Sequence, residues 1–252
     1  MKYKRLIPLA VSLLVLFLNE AFFFWPSGIF VLLSLAIIVM FLGAIAILGQ
    51  EGREHWLLAI SPTLLIAGGS AYSLVIYNFY LIQALFIFSF IYSFWYLRNL
   101  YYFSKRSQEK DVWRERIGNL MAAGTFLTAF TAASFAYRLP LFLGWSFLYR
   151  LPGFFVFSFL LLFQWSALEK DSASNQGVTA ISLLLLMESA WAFSWLPLES
   201  DILALIFAIV SYLLLTFVRL EAKGHFDRRS IRLPLAFSIL AIILLILTAR
   251  WL

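Results

Sequence analysis

The chain has 252 residues, of which 63% are hydrophobic, 19% aromatic and 13% charged, and its formal net charge is +6. A mean hydropathy of +0.91 is higher than the core of a soluble protein of this length requires, so a soluble globular class is excluded. Apolar runs of about 17 to 22 residues match the length of a helix that crosses roughly 30 Å of hydrocarbon. The sequence therefore predicts an all-α, polytopic transmembrane bundle that forms one integral membrane domain over residues 1–252.

Nine candidate spans follow one another at approximately 6–24, 28–49, 57–77, 79–97, 117–137, 152–168, 177–197, 201–218 and 233–250. The first has the basic lead of a signal sequence, but its long apolar run and the lack of a small-residue cleavage site indicate an uncleaved span. The first and second spans are joined by a very short turn, as are the third and fourth. One of these pairs could therefore be a re-entrant element, which would reduce the count to eight.

The distribution of basic residues predicts the orientation of these spans. With the N-terminus in the cytoplasm, sixteen of the nineteen Lys and Arg residues lie in cytoplasmic segments, and Arg138, Arg150 and Arg250 lie outside. Cytoplasmic segments near span ends carry most of the positive charge in membrane proteins. We therefore expect a multi-pass protein of the cell membrane, which in a bacterium is the inner membrane. Short basic loops next to anionic lipid account for the net charge, so no nucleic-acid partner is expected.

Side-chain size predicts which spans are central. Small residues at four-residue spacing let helices approach closely, and the fifth span carries Gly124, Thr128 and Ala132 in this pattern, as the third carries Gly69 and Ser73. The sixth and ninth spans are bulky, which favours contact with lipid. The fourth is rich in rings, which could line an aromatic pocket, but lipid contact and interfacial anchoring by Tyr96, Tyr101 and Tyr102 are the favoured interpretation.

Two carboxylates lie within the predicted spans. Glu20 and Glu188 are each followed by aromatic residues and then by a Trp and a Pro, at a similar predicted depth in the outer half of the membrane. Because a charge in hydrocarbon is costly, they are candidates to bind a proton, a cation or a ligand, and the repeated context could reflect an internal duplication. The competing interpretation is hydrogen bonding to neighbouring helices, which is also the role expected of Asn19, Gln83, Asn119 and Gln164.

The tetrapeptide YRLP occurs twice, at 137–140 and at 149–152. The intervening segment is too short to cross the membrane, so Arg138 and Arg150 must lie at the same face, predicted to be the outer one. Since proline suits the first turn of a helix, Pro140 could open a short interfacial helix near 140–149, and Pro152 could open the sixth span. The arginines could bind a phosphate, pair with Glu20 or Glu188, or anchor at headgroups.

The sequence contains few motifs that indicate catalysis or the binding of a metal or other cofactor. The chain has no cysteine and two histidines, both in predicted loops, so no metal or other cofactor is expected. The common hydrolase, P-loop and dinucleotide motifs are absent, which leaves an enzyme without a sequence signature.

Three functional hypotheses remain. The first is binding or transport of a small solute or lipid at an outer-half polar site built from Glu20, Glu188, Arg138 and Arg150. The second is a noncatalytic scaffold or a subunit with a membrane-protein partner. The third is an enzyme that acts on a lipid-linked substrate. Membrane lipids are expected partners in each case.

Overall fold

A computed structural model describes residues 5–49, 55–105, 110–144, 147–165, 176–222 and 228–249. These residues form nine α-helices that correspond one to one with the predicted spans: α1 Ile7–Glu20, α2 Ile29–Leu48, α3 Ile60–Ser73, α4 Phe79–Lys105, α5 Lys110–Leu143, α6 Phe147–Phe163, α7 Gln176–Phe193, α8 Ser200–Ala222 and α9 Arg228–Thr248. Short 3₁₀ helices at Ala21–Phe23 and Pro26–Gly28 lie between α1 and α2, and a third at Trp56–Ala59 directly precedes α3. The predicted all-α membrane bundle is confirmed.

Helix length and hydropathy identify the segments able to cross a bilayer. Among the described residues, six are long and apolar enough: Ile29–Leu48, Trp56–Ser73, Phe79–Lys105, Lys110–Pro140, Ser200–Glu221 and Ile231–Thr248. Shorter apolar helices at Ile7–Phe23, Leu151–Phe163 and Gly177–Phe193 account for the other three predicted spans. Helices α4 and α5, with 27 and 34 residues, are longer than the roughly 20 residues that a hydrocarbon core requires, so their ends extend beyond it.

The chain forms two compact units, residues 1–124 and 125–252. In the first unit, α1 packs against α2 and α4, and α3 packs against the same two helices. Gly43 on α2 allows close packing of α1, because a Cβ at this position would lie 2.7 Å from both methyl groups of Val11. The prediction of a single integral membrane domain stays a prediction.

In the second unit, consecutive helices pack in order along the chain: α6 against α7, α7 against α8 and α8 against α9. Aromatic side chains fill part of this core, where the Phe154 ring lies 5.5 Å from Tyr137 and 5.4 Å from Phe207, measured between centroids. Such contacts suit an interior in which packing, rather than a difference in polarity between protein and lipid, holds helices together.

Burial follows the predicted division between central and lipid-facing helices at both extremes. In the segment Trp56–Ser73, which contains α3, 67% of residues are buried, whereas in Ile231–Thr248 Ser238 is the one buried residue. Helix α6 differs from the prediction because only one face is exposed, with Phe155, Phe159 and Phe163 along it. Its other face carries the buried Phe154, Ser158 and Leu161, so this bulky helix is not wholly lipid-facing.

The segment between the YRLP copies corrects the sequence prediction. A break between the fifth and sixth helices is present, but the described residues near 140–149 form no separate interfacial helix: α5 continues through Pro140 to Leu143, and α6 begins at Phe147 and includes Pro152. Helix α5 ends at Gly144, whose φ of 62° is favoured by glycine and whose N–H donates to the Pro140 carbonyl at 2.9 Å. Prolines within membrane helices are accommodated by local adjustment, so neither one had to mark a helix start.

Candidate functional site

Glu20 lies at the C-terminal end of α1 and its side chain is half-buried. Its carboxylate accepts a hydrogen bond of 3.0 Å from the Gln83 side-chain amide on α4. The preceding residue, Asn19, is buried and accepts a 3.1 Å hydrogen bond from the Ser70 hydroxyl on α3. Two adjacent polar residues of α1 thus bond two different helices of the first unit, which confirms the interhelical role predicted for Asn19 and Gln83.

Aromatic residues lie within one helical turn of Glu20 and of Gln83 along the chain. Phe23, three residues after Glu20, has its ring centroid 5.2 Å from that of Phe79 and 6.3 Å from that of Phe86. Gln83 lies between these two residues on α4, one turn from each, so the polar pair and the three rings share the same α1–α4 contact. The arrangement is a carboxylate with an amide partner beside an aromatic cluster.

Glu188 lies in the last two turns of α7 and is exposed. Leu184, Leu185 and Trp191 are exposed on the same helix, so the carboxylate emerges from an apolar surface. Among the described residues, Glu188 makes no hydrogen bond or ion pair. The similar sequence contexts of Glu20 and Glu188 therefore lead to different surroundings.

Arg138 is paired with Asp201, which lies in the first turn of α8. Both side chains are partly exposed, at 23% and 38%, and the guanidinium donates to one carboxylate oxygen of Asp201. The other oxygen, Oδ1, is buried without a hydrogen-bond partner. Arg138 therefore pairs with Asp201, a carboxylate that the sequence did not predict, and not with Glu20 or Glu188. Arg150 belongs to α6, and its side chain lies outside the described residues.

Asp201 could have been identified from the sequence. It begins the eighth span and follows the short segment that links the seventh and eighth spans. In the predicted topology that segment lies at the same face as Arg138, and a carboxylate in the first turn of a helix also interacts favourably with the helix dipole. An acid at the start of a span, at the same predicted face as Arg138, is the signal that indicates the Arg138–Asp201 pair.

The polar residues predicted to bond between helices include Gln164 and Asn119. The Gln164 amide donates to the Thr125 hydroxyl at 3.1 Å, which confirms its role, while Asn119 is exposed. Tyr96 corrects the interfacial prediction: it is fully buried and donates to the Leu58 carbonyl at 2.8 Å. Leu58 lies four residues before Pro62, which has no N–H to donate to the Leu58 carbonyl, so this buried phenol supplies a donor to that backbone group.

No group of three or more His, Asp and Glu side chains that could hold a metal ion occurs in the part of the chain that the structure describes. Comparison with protein-family models, curated proteins and solved structures finds no match to this chain.

Proposed function

We propose that this multi-pass membrane protein binds a small organic cation, as a step in its transport, at Glu20 in the predicted outer half of the membrane. The observation that carries the proposal is the pairing of the Glu20 carboxylate with a neutral amide, Gln83, at 3.0 Å. An amide donor satisfies one lone pair but supplies no positive charge. The carboxylate therefore keeps its capacity to pair with a cation.

The position of Glu20 on its helix supports a cationic ligand. Glu20 is the last residue of α1, where the partial negative charge of the helix dipole adds to that of the carboxylate. Both contributions attract a cation, and both act more strongly in a site that is partly withdrawn from water. Asn19 is held by Ser70, which fixes the end of the helix on which Glu20 lies.

The neighbouring rings favour an organic cation over a metal ion. The ring of Phe79 is exposed and that of Phe23 is half-buried, so they offer an apolar surface and a negative quadrupole, and aromatic rings of this kind bind ammonium groups. Hard metal ions instead need several oxygen ligands, and the Glu20–Gln83 contact offers few. A substituted ammonium group fits a single carboxylate beside aromatic rings.

Calorimetric titration of the detergent-purified protein with tetramethylammonium tests this proposal. We expect saturable binding that Glu20→Gln weakens at least tenfold, because the substitution keeps the size of the side chain and removes its charge. Phe79→Leu should weaken binding about threefold to fivefold through loss of the ring. Glu188→Gln is the matched control and should bind like the unaltered protein, since Glu188 is exposed on a different helix.

Equal binding by the unaltered protein and Glu20→Gln would contradict the proposal, as would an absence of saturable binding. A loss caused equally by Glu188→Gln would indicate that the protein's overall charge, rather than the Glu20 site, attracts the cation. Thermal unfolding of each variant in the same detergent shows that the fold is retained.

A second candidate function is that of a subunit in a larger membrane complex, and Glu188 favours it. A carboxylate on the apolar surface of a membrane helix is costly unless a partner supplies a donor. Under this hypothesis, Glu188→Leu dissociates the complex that a mild detergent extracts, measured by its mass in native mass spectrometry. If lipid alone covers this surface, the same substitution leaves the mass unchanged and raises the melting temperature. The enzymatic hypothesis stays a prediction from sequence.

A further inference from the structure

A cation–aromatic ladder lies where the end of α4 meets the start of α5 in the first unit. The rings of Tyr102 and Trp113 are stacked, with centroids 4.8 Å apart and planes inclined by 25°. The Arg98 guanidinium lies 5.9 Å from the Tyr102 centroid, and that of Arg116 lies 4.7 Å from the Trp113 centroid. A guanidinium therefore lies against each ring of the stacked pair, and these four side chains constitute the ladder.

The two guanidiniums of the ladder carry its positive charge. Arg98 and Arg116 are exposed, and among the residues that the structure describes neither forms an ion pair, whereas Arg114 lies 3.6 Å from Asp111. A guanidinium that stacks on a ring uses its face, which leaves the N–H groups along its edge able to bind an oxyanion. The N-terminal end of α5, at Lys110, adds the positive end of a helix dipole.

An apolar stripe on α4 leads directly to Arg98. Ile87, Ile91 and Trp95 are 51%, 47% and 54% exposed, and they continue at helical spacing into Arg98 and Tyr102. The eleven residue steps from Ile87 to Arg98 rise about 16 Å along the helix axis, which is close to half the hydrocarbon thickness of about 30 Å. The stripe is therefore as long as one leaflet and ends at a cationic group.

We propose that the ladder and this stripe form a binding site for an anionic phospholipid. The edges of Arg98 and Arg116 bind the phosphate of the headgroup, and an acyl chain lies along Ile87, Ile91 and Trp95. Tyr102 and Trp113 hold the two guanidiniums in place. The site lies near the C-terminal end of α4, whereas Gln83, the partner of Glu20, lies near its N-terminal end. It does not depend on the function proposed above.

The apolar stripe selects a lipid over a soluble phosphate compound. A soluble phosphate could meet the two guanidiniums but would leave the leaflet-long stripe unused. The predicted topology places this end of α4 at the cytoplasmic face, where anionic lipids attract basic segments. This helix face has an apolar stripe and a cationic end, which match the acyl chain and the anionic headgroup of a phospholipid.

Native mass spectrometry of the detergent-purified protein, mixed with equal amounts of phosphatidylglycerol and phosphatidylcholine, tests the site. We expect preferential retention of phosphatidylglycerol, which Arg98→Gln and Arg116→Gln each weaken about fivefold. Arg98→Lys retains the charge but not the planar fork, and it should weaken retention more than twofold. Arg232→Gln, which removes an exposed arginine of α9 at the same predicted face, is the matched control and should retain the lipid.

Three results would overturn the proposal. Retention that is unaffected by Arg98→Gln and Arg116→Gln would show that the lipid binds elsewhere. An equal loss with Arg232→Gln would show that net charge, rather than the ladder, determines retention. Displacement of phosphatidylglycerol by excess inorganic phosphate would identify a soluble anion as the ligand. A Tyr102→Phe variant, which keeps the stacked ring and should retain the lipid, reports on folding in this segment.

Discussion

The two units of the chain differ in the partner of a carboxylate at a helix contact. In the first, Glu20 bonds the neutral amide of Gln83, whereas in the second Asp201 pairs with the Arg138 guanidinium. Some hydroxyls in both units instead donate to a carbonyl one turn earlier on their own helix, as Ser189 does, and such groups need no neighbouring helix. Polar residues in a membrane span therefore indicate helix packing only when their own helix cannot satisfy them.

The largest expected effect concerns Gly124 in the first unit. A Cβ added there would lie 2.5 Å from Cζ of Tyr92, whose hydroxyl bonds the Leu120 carbonyl at 3.1 Å and lies 3.2 Å from the Ser61 hydroxyl. The phenol is held by these bonds and cannot move aside cheaply. We expect Gly124→Ala to lower the free energy of unfolding by about 3 kcal/mol through overpacking and loss of hydrogen bonding.

Gly153 in the second unit is the matched control for this substitution. No atom lies within 4 Å of a Cβ added at Gly153, so Gly153→Ala should be neutral or stabilising by about 0.5 kcal/mol through helix propensity. Thermal unfolding in detergent compares the two variants. Similar melting temperatures would show that the close approach of Tyr92 to α5 does not constrain position 124.

An intermediate effect is expected at the ion pair of the second unit. Arg138→Gln should cost about 1 to 2 kcal/mol, because it leaves the Asp201 carboxylate without its charged donor, and partial exposure of both side chains keeps the value moderate. In the double variant with Asp201→Asn, the two losses should be less than additive by about 1 kcal/mol. Chemical denaturation of the four proteins in a double-mutant cycle measures this coupling, and full additivity would contradict the pairing.

The smallest expected effect is the difference in stability between losing a hydrogen bond to another helix and losing one within a single helix. Ser70→Ala removes the donor to Asn19 and should cost about 0.6 kcal/mol, the usual value for an interhelical hydrogen bond in a membrane. Ser189→Ala removes a hydroxyl that bonds the Leu185 carbonyl of its own helix, so its cost should be close to zero. Asn19→Ala combined with Ser70→Ala should cost no more than Asn19→Ala alone, and equal costs for both serine variants would contradict the distinction between bonds to another helix and bonds within one helix.

The fold was predictable because membrane helices are encoded locally. A span needs about 20 apolar residues irrespective of what surrounds it, and the nine predicted segments all contain helices. Helix ends were harder to locate. Helix α4 extends to Lys105 and α5 begins at Lys110, beyond the apolar runs, because charged residues there continue the helix outside hydrocarbon. Prolines were poor markers of helix starts, since Pro140 lies inside α5 and Pro152 inside α6.

The candidate site was predictable in part. Glu20 was identified by the cost of burying a carboxylate, and Asn19 and Gln83 by their need for partners, yet the partner of Arg138 was missed. Asp201 was overlooked because an acid at the start of a span lies near water. Its free-energy cost is small and does not mark it as Glu20 was marked. The ladder was also missed, since Arg98 and Trp113 lie fifteen residues apart and only the approach of α4 to α5 brings Tyr102 against Trp113.

The sequence by itself determined that this is a helical membrane protein, where its apolar helical segments lie, and which of its residues are too polar to lie in hydrocarbon without a reason. These properties follow from the free energy of transferring individual residues into a bilayer, which depends little on the rest of the fold. The tertiary structure decided which partner each polar residue meets: Gln83 for Glu20, Asp201 for Arg138 and an exposed surface for Glu188. Partner choice depends on helix packing, and packing is set by side-chain shape across the whole unit.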